Sequence, residues 1–242
     1  MKIIKVDATP STNSFLKELL RKQNIIKPTC VWTKAQTNGR GQRGSKWQSE
    51  SGKNLTFSVF FVTNEAIKAT PFVLNMLTTL SIKKVLNRYN LPQLKIKWPN
   101  DILSANKKIG GILIENSYQN GVLSETVIGV GININQEDFT GLPKASSVKN
   151  LIGISLSLEG ILDEILNSLE TFFKNYQEED FEKVKRDFEA VLFRNKKPST
   201  FEVSGNQFVG IIQGVSNGGL LKVLQQDNCL NYYDVKEIAL KY

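Results

Sequence analysis

Polar and apolar residues alternate along Lys95-Ile96-Lys97-Trp98, break at Pro99-Asn100-Asp101, and resume at Ile102-Leu103. They turn at Asn106-Lys107 and run again from Ile109 to Glu115. A period of two with these breakers predicts two strands joined by a turn, a hairpin over Lys95 to Glu115 that carries Lys97, Asp101 and Lys108 toward one neighbourhood. Alone, such a hairpin is an ordinary surface element with solvated lysines. Further strands are predicted at Lys2 to Val6, Pro28 to Gln36, the strongly apolar Asn54 to Val62, and Thr126 to Asn135. In the last of these, Gly129 and Gly131 mark places where something approaches the backbone closely, more often for packing than for a ligand.

Helical spacing appears at Phe15, Leu16, Leu19 and Leu20 behind the cap-like Thr9-Pro10-Ser11-Thr12-Asn13. Thr70 to Tyr89 reads as a long amphipathic helix whose core face is Phe72, Leu74, Leu77, Leu80, Ile82, Val85 and Leu86. Glu137 to Ser157 is a long connection, a length that is often functional. Two more helices are predicted at Leu158 to Tyr176 and Glu179 to Leu192. The texture changes at Arg194-Asn195-Lys196-Lys197-Pro198, and Thr200 to Tyr242 consists of short strands with Gly/Asn turns. That pattern predicts a small β-barrel or sandwich. The expected domains are therefore 1–194, in which strands and helices mix in an α+β fold, and 195–242.

The 242 residues suffice for one substantial core with a small satellite. No apolar run approaches the roughly 20 residues that span a bilayer, and the N-terminus lacks a long apolar stretch and a cleavage site. A cytoplasmic location is the expectation. The chain has no histidine, which removes Ser-His-Asp and Cys-His catalysis and His-ligated zinc. Chemistry is left to Lys, Arg, Asp, Glu and backbone groups. Cys30 and Cys229 form no C-x-x-C pair and are both expected to be buried small apolar residues. A net charge of +8 invites an anionic partner, but the lysines are spread along the chain, so dedicated nucleic-acid binding is not expected.

Gly39, Gly41 and Gly44 satisfy G-x-G-x-x-G, yet the chain continues as the polar, non-periodic SKWQSESGKN rather than as a helix, so a dinucleotide fold is rejected. What remains is a cationic glycine loop, in which backbone N–H groups can approach an anion, Arg40, Arg43 and Lys46 add charge, and Trp47 offers a stacking face. Ser11 to Asn13 read first as a helix cap, and a polar ligand would suit the same groups.

Together GRGQRGSKW at 39–47, KWPND at 97–101, KKIGGILIE at 107–115 and GVGIN at 129–133 resemble, in motif, order and spacing, the biotin protein ligases. The resemblance runs from Ser11 to the C-terminus. It implies a class II aminoacyl-tRNA synthetase/biotin ligase-like catalytic domain, a mixed sheet with helices packed on it, and an SH3-like C-terminal barrel. It also implies the reaction: biotin attacks the α-phosphate of ATP with Mg²⁺ to give biotinyl-5′-AMP. A lysine on the biotin carboxyl carrier domain of a biotin-dependent carboxylase then takes the biotinyl group.

By matching motifs, Ser11, Thr12, Asn13, Gln36, Gly39, Arg40, Gly41, Gln42, Lys108 and Gly111 would hold biotin. Arg40, Arg43, Trp47, Asn100, Lys108 and Asn133 would hold the nucleotide. Lys108, Arg40 and Lys97 would supply the charge that brings two anions together, and Asp101 would orient the incoming amine or take its proton. No protein ligand set for a metal is expected. Many members carry arginine where this chain has Gln42, which bears on how tightly the adenylate is retained. Only about ten residues precede Ser11, so a short form without a DNA-binding domain, and no operator binding, is expected. A homodimer is compatible with the chain, but the sequence does not fix it. The competing readings are a lipoate or octanoate ligase or transferase of the same superfamily, and a catalytically silent nucleotide- or nucleic-acid-binding module.

Overall fold

A computed structural model describes residues 1–242, the side chain of Arg43 excepted. Seven strands form one sheet in the order β1-β2-β3-β7-β6-β5-β4. They are β1 (Lys2–Thr9), β2 (Thr29–Gln36), β3 (Asn54–Phe60), β4 (Lys95–Lys97), β5 (Asp101–Ser104), β6 (Lys107–Gln119) and β7 (Val122–Asn133). Only β1 and β2 run parallel, joined by a crossover through α1 (Thr12–Lys22); the other neighbours are antiparallel. The predicted hairpin over Lys95 to Glu115 is in fact three strands, because Pro99-Asn100 and Ala105-Asn106 each reverse the chain, the latter pair both at positive φ.

The two faces of the sheet are covered differently. Helix α1 lies on one face, where Leu16 packs with Val31, Phe60 and Val127. The other face carries the main core, under α3 (Val73–Leu86), α5 (Leu158–Asn175) and α6 (Phe181–Ala190). Helix α3 is shorter than Thr70 to Tyr89: it begins after Pro71 and gives way to a 3₁₀ turn at Asn87–Tyr89 that Asn90 ends in the left-handed region. Nor is it amphipathic in the expected sense. It lies between the sheet, α5 and α6, so Thr78, Thr79 and Ser81 are buried along with the apolar residues, each hydroxyl donating to the carbonyl four residues back.

Two short helices lie where none is predicted. One is α2 (Glu65–Ala69), capped by Asn64; the other is α4 (Val148–Ile152), capped by Ser147 and closed by left-handed Gly153 inside the long connection. The thiols also divide. Cys30 is fully buried, and burial pushes its pKa up to about 12, whereas Cys229 is exposed in a turn, contrary to expectation, because Asp227-Asn228 carry it away from any core.

The C-terminal stretch forms a second, five-stranded antiparallel sheet in the order β11-β10-β9-β8-β12. Its strands are β8 (Pro198–Val203), β9 (Asn206–Val215), β10 (Leu221–Gln225), β11 (Leu230–Tyr233) and β12 (Ala239–Lys241), consistent with the small barrel-like unit expected. It is tied to the larger sheet in three ways. The connection 191–193 adds itself to the edge of β4, through Ile96 N–H to the Val191 carbonyl (3.0 Å) and Phe193 N–H to the Ile96 carbonyl (2.7 Å). The buried Trp98 indole donates to the Gly219 carbonyl at 2.9 Å, and Glu189 of α6 accepts from Val215 N–H at 2.8 Å.

Candidate active site

The C-terminal ends of β1 and β2 place the β1–α1 turn and the glycine loop side by side. Thr37 and Asn38 donate backbone hydrogen bonds to the Thr9 and Pro10 carbonyls (3.1 and 2.9 Å). The loop then folds on itself: Trp47 N–H donates to the Gly39 carbonyl (2.9 Å) and Gly41 N–H to the Ser45 carbonyl (2.7 Å). Glycine is required at residue 39 for this closure, since a Cβ there would lie 2.5 Å from the Trp47 carbonyl oxygen. Of the loop N–H groups expected to approach an anion, that of Gly41 is thus spent within the loop.

Below the loop a cavity of about 210 Å³ opens onto β6 and β7. At one end Ser11, Thr12, Asn13 and Gln36 line it. Ser11 is also the N-cap of α1, so the cap and cavity readings both hold. Gln36 Oε1 accepts from the Thr12 backbone N–H (2.9 Å) and hydroxyl (3.2 Å), and buried Ser58 bridges the Thr12 hydroxyl and the Asn13 amide oxygen. At the other end stand Asn100, Asp101, Lys108 and Gly111. The Asn100 side-chain amide donates to the Ile112 carbonyl. Asp101 lies between two lysines, with Lys108 Nζ 2.6 Å from Oδ1 and Lys97 Nζ 3.9 Å from Oδ2. Arg40, Gly41, Gln42 and Trp47 cover the cavity from the loop side, and Lys108 Nζ is 5.9 Å from the centre of the Trp47 ring.

The glycines of β7 make this arrangement possible. A Cβ at Gly131 would lie 2.4 Å from Trp47 Cε2, and one at Gly129 would lie 2.3 Å from Asn13 Oδ1. Both serve packing, and what they admit are two side chains of the cavity itself. Asn133, next on the same face of β7, donates to the Ser146 carbonyl (3.0 Å), while its Oδ1 and the Trp47 Nε1 are buried without a partner. Such atoms are costly unless something pairs with them, and Trp32 Nε1, Asn75 Oδ1 and Asn195 Oδ1, which do not line the cavity, share that condition.

Not every predicted residue reaches the cavity. Gly39 and Asn133 lie behind its wall, and Lys97 faces a second cavity, of about 230 Å³, between the two sheets. Arg43 is expected at the nucleotide, and its side chain lies outside the described residues. One residue the sequence pattern does not single out is Glu115. Its carboxylate accepts from Lys17 Nζ (2.7 Å), Asn13 Nδ2 (2.7 Å) and Arg40 Nη2 (3.2 Å). Burial pushes its pKa up, but the bonds from Lys17 and Asn13 and the charges of Lys17 and Arg40 outweigh this and hold it below the usual carboxylate range. The charge is therefore present above that depressed value and lost only as pH falls through it. The signal that could have found it is the period of two that puts Gly111, Leu113 and Glu115 on one face of β6.

The model of the biotin/lipoate A/B protein ligase family matches residues 6–133, more than half of the chain. The chain belongs to that family. Among relatives, it is 28% identical over 235 residues to the bifunctional ligase/repressor BirA of Bacillus spizizenii, covering 96% of this chain and 72% of that one. It is 26% identical to the biotin–[acetyl-CoA-carboxylase] ligase of Paracoccus denitrificans, covering 88% of this chain and 90% of that one. A solved structure of the biotin protein ligase from Aquifex aeolicus, in complex with biotin and ATP, superposes with a TM-score of 0.81 over 99% of this chain and 98% of that one. At 24% identity that likeness is one of fold. In this family member Arg40 and Trp47 of the glycine loop, Gly129 and Gly131 of β7, and Asp101 and Lys108 of the hairpin line one cavity.

Proposed function

We propose that this family member is an ATP-dependent biotin ligase, which activates biotin as biotinyl-5′-AMP and passes it to a carrier-protein lysine. The observation that carries the reading is that cationic and hydrogen-bonding groups from the glycine loop and from the hairpin meet across one cavity, with Arg40 and Lys108 both on its wall. The named ligases among its relatives support the choice of biotin.

In this reading Thr12, Asn13 and Gln36, with Ser11 at the helix cap, hold the ureido ring. Its carbonyl and N–H groups need partners that the dithiolane of lipoate would leave unsatisfied, which favours biotin over the lipoate branch of the family. Lys108 and Arg40 hold the biotin carboxylate against the α-phosphate, a charge arrangement fixed before the reaction so that no reorganisation is needed during it. Trp47, packed on Gly131, flanks the adenine, with Asn133 behind the wall on the same face of β7. Asp101 receives the acceptor amine. Its carboxylate is held by Lys108 and Lys97, so the lysine that stabilises the adenylate also orients the group that attacks it.

No group of three or more Asp, Glu or Cys side chains able to hold a metal occurs among the described residues. Mg²⁺ would arrive on the triphosphate, with Asp101 the carboxylate on the cavity wall that would be offered to it. When bound it neutralises phosphate charge. The domain division at residue 195 is proposed on the start of β8 at Pro198. Incubating the protein with ATP, biotin and a biotin carboxyl carrier domain tests the whole reading. A carrier mass raised by one biotinyl group is expected; an unmodified carrier overturns it, and a lipoyl adduct from a parallel incubation would move the protein to the other branch.

A further inference from the structure

We infer that Glu115 is a positioning residue for biotin activation, setting Arg40 of the glycine loop and Asn13 of α1 in register with the cavity. The inference rests on the ligase reading and deepens it. Gly111 and Leu113 line the cavity, and Glu115 is the next residue on that face of β6, just beyond the wall. From there it reaches three side chains on two other segments. Asn13 Nδ2 donates both to its carboxylate and to the Leu113 carbonyl (3.2 Å), while Asn13 Oδ1 accepts from Ser58, so the amide has one orientation only. Arg40 Nη2 bonds Glu115 and also the Ser14 hydroxyl at 3.1 Å, which fixes the guanidinium over the first turn of α1. Lys17 supplies the second positive charge from one turn further on.

Stability accounts for little of the Arg40 contact. Arg40 is 43% exposed, and an ion pair in that setting adds little to folding. Geometry does account for it. Backbone bonds hold the glycine loop at its base, and the Glu115 contact ties the Arg40 side chain to the sheet that carries Lys108 and Gly111. A carboxylate behind the wall thereby aligns a long, flexible cation with the ring-binding amide of a different element.

The test is biotin-dependent exchange of pyrophosphate into ATP by the full chain, with biotin and ATP varied separately. E115Q keeps the shape and removes the charge. It should raise the KM for biotin about 10- to 100-fold, the scale of a misplaced contact, with the KM for ATP within about twofold and Tm little changed. R40A should raise the KM for biotin at least as much and, because Arg40 also holds the carboxylate against the phosphate, should lower kcat as well; E115Q added to R40A should cost less than E115Q alone does, because the share of its effect that runs through Arg40 is already lost. Glu164→Gln, which removes a paired carboxylate from Arg88 and Tyr89 away from the cavity, should change neither KM. A wild-type biotin KM in E115Q, or additive losses in the double variant, overturns the inference while leaving the ligase reading intact. A parallel rise of both KM values with a fall in Tm does so too, because it marks a merely structural role. Wild-type protein without biotin-dependent exchange would overturn the ligase reading itself.

Discussion

Two cavities of similar size, about 210 and 230 Å³, lie on either side of the turn between β4 and β5, and Gln42 touches both. The first is lined by hydroxyls, amides, Asp101, Lys108 and Arg40 and roofed by the glycine loop. The second, between the sheets, is walled by Trp98, Phe193, Ile212, Leu221, Ile238 and their apolar neighbours, with Lys97 at its margin. Volume therefore does not locate the chemistry. What separates the two is the convergence of opposite charges and hydrogen-bonding groups on the wall of the first.

That contrast can be broken most severely at Asp101. Asp101→Asn should slow transfer of the biotinyl group from preformed adenylate by about 100- to 10,000-fold, read as carrier mass against time. A change under about tenfold would leave Asp101 a residue that only spaces Lys97 from Lys108. Lys108→Met should lower biotin-dependent pyrophosphate exchange by about 100- to 1,000-fold, the usual cost of one preorganised charge contact. Gly131→Ala should push Trp47 off β7, since a Cβ there has no room. Overpacking of about 1–3 kcal/mol is expected, which expressed wholly in ATP affinity is roughly 5- to 150-fold, and it should show in titrations of ATP binding. On the other side of the turn, Ile212→Ala should cost about 2–5 kcal/mol in stability by denaturant melting. It should nonetheless leave both KM values within about twofold, because the second cavity belongs to the core and not to the chemistry.

The charged hairpin and the glycine loop were readable because their signals are local: alternation, breakers and glycine spacing lie within a few residues of the side chains they position. Helix α1 and its Ser11 cap were readable for the same reason. What escaped depends on partners distant in sequence. Glu115 looks like the polar end of an apolar strand until Arg40 and Lys17 are folded beside it. Gly129 and Gly131 announced a close approach, but nothing in the strand said that Asn13 and Trp47 were what approached. Lys97 was grouped with Lys108 by proximity, yet it meets Asp101 from the other cavity. Helices α2 and α4, five residues each, are too short for a period to show, although Asn64, Ser147 and Gly153 carried their caps in plain view.

The indole of Trp98 hangs from the Gly219 carbonyl, and residues 191–193 run as a splint along β4. Severing the chain after residue 194 would leave that indole with no acceptor and open the apolar seam beside Asp101 to water. The small C-terminal unit is thus a buttress for the Asp101 end of the cavity, and, if that end receives the amine as proposed, a trimmed enzyme should fail first in handing its product on rather than in making the adenylate.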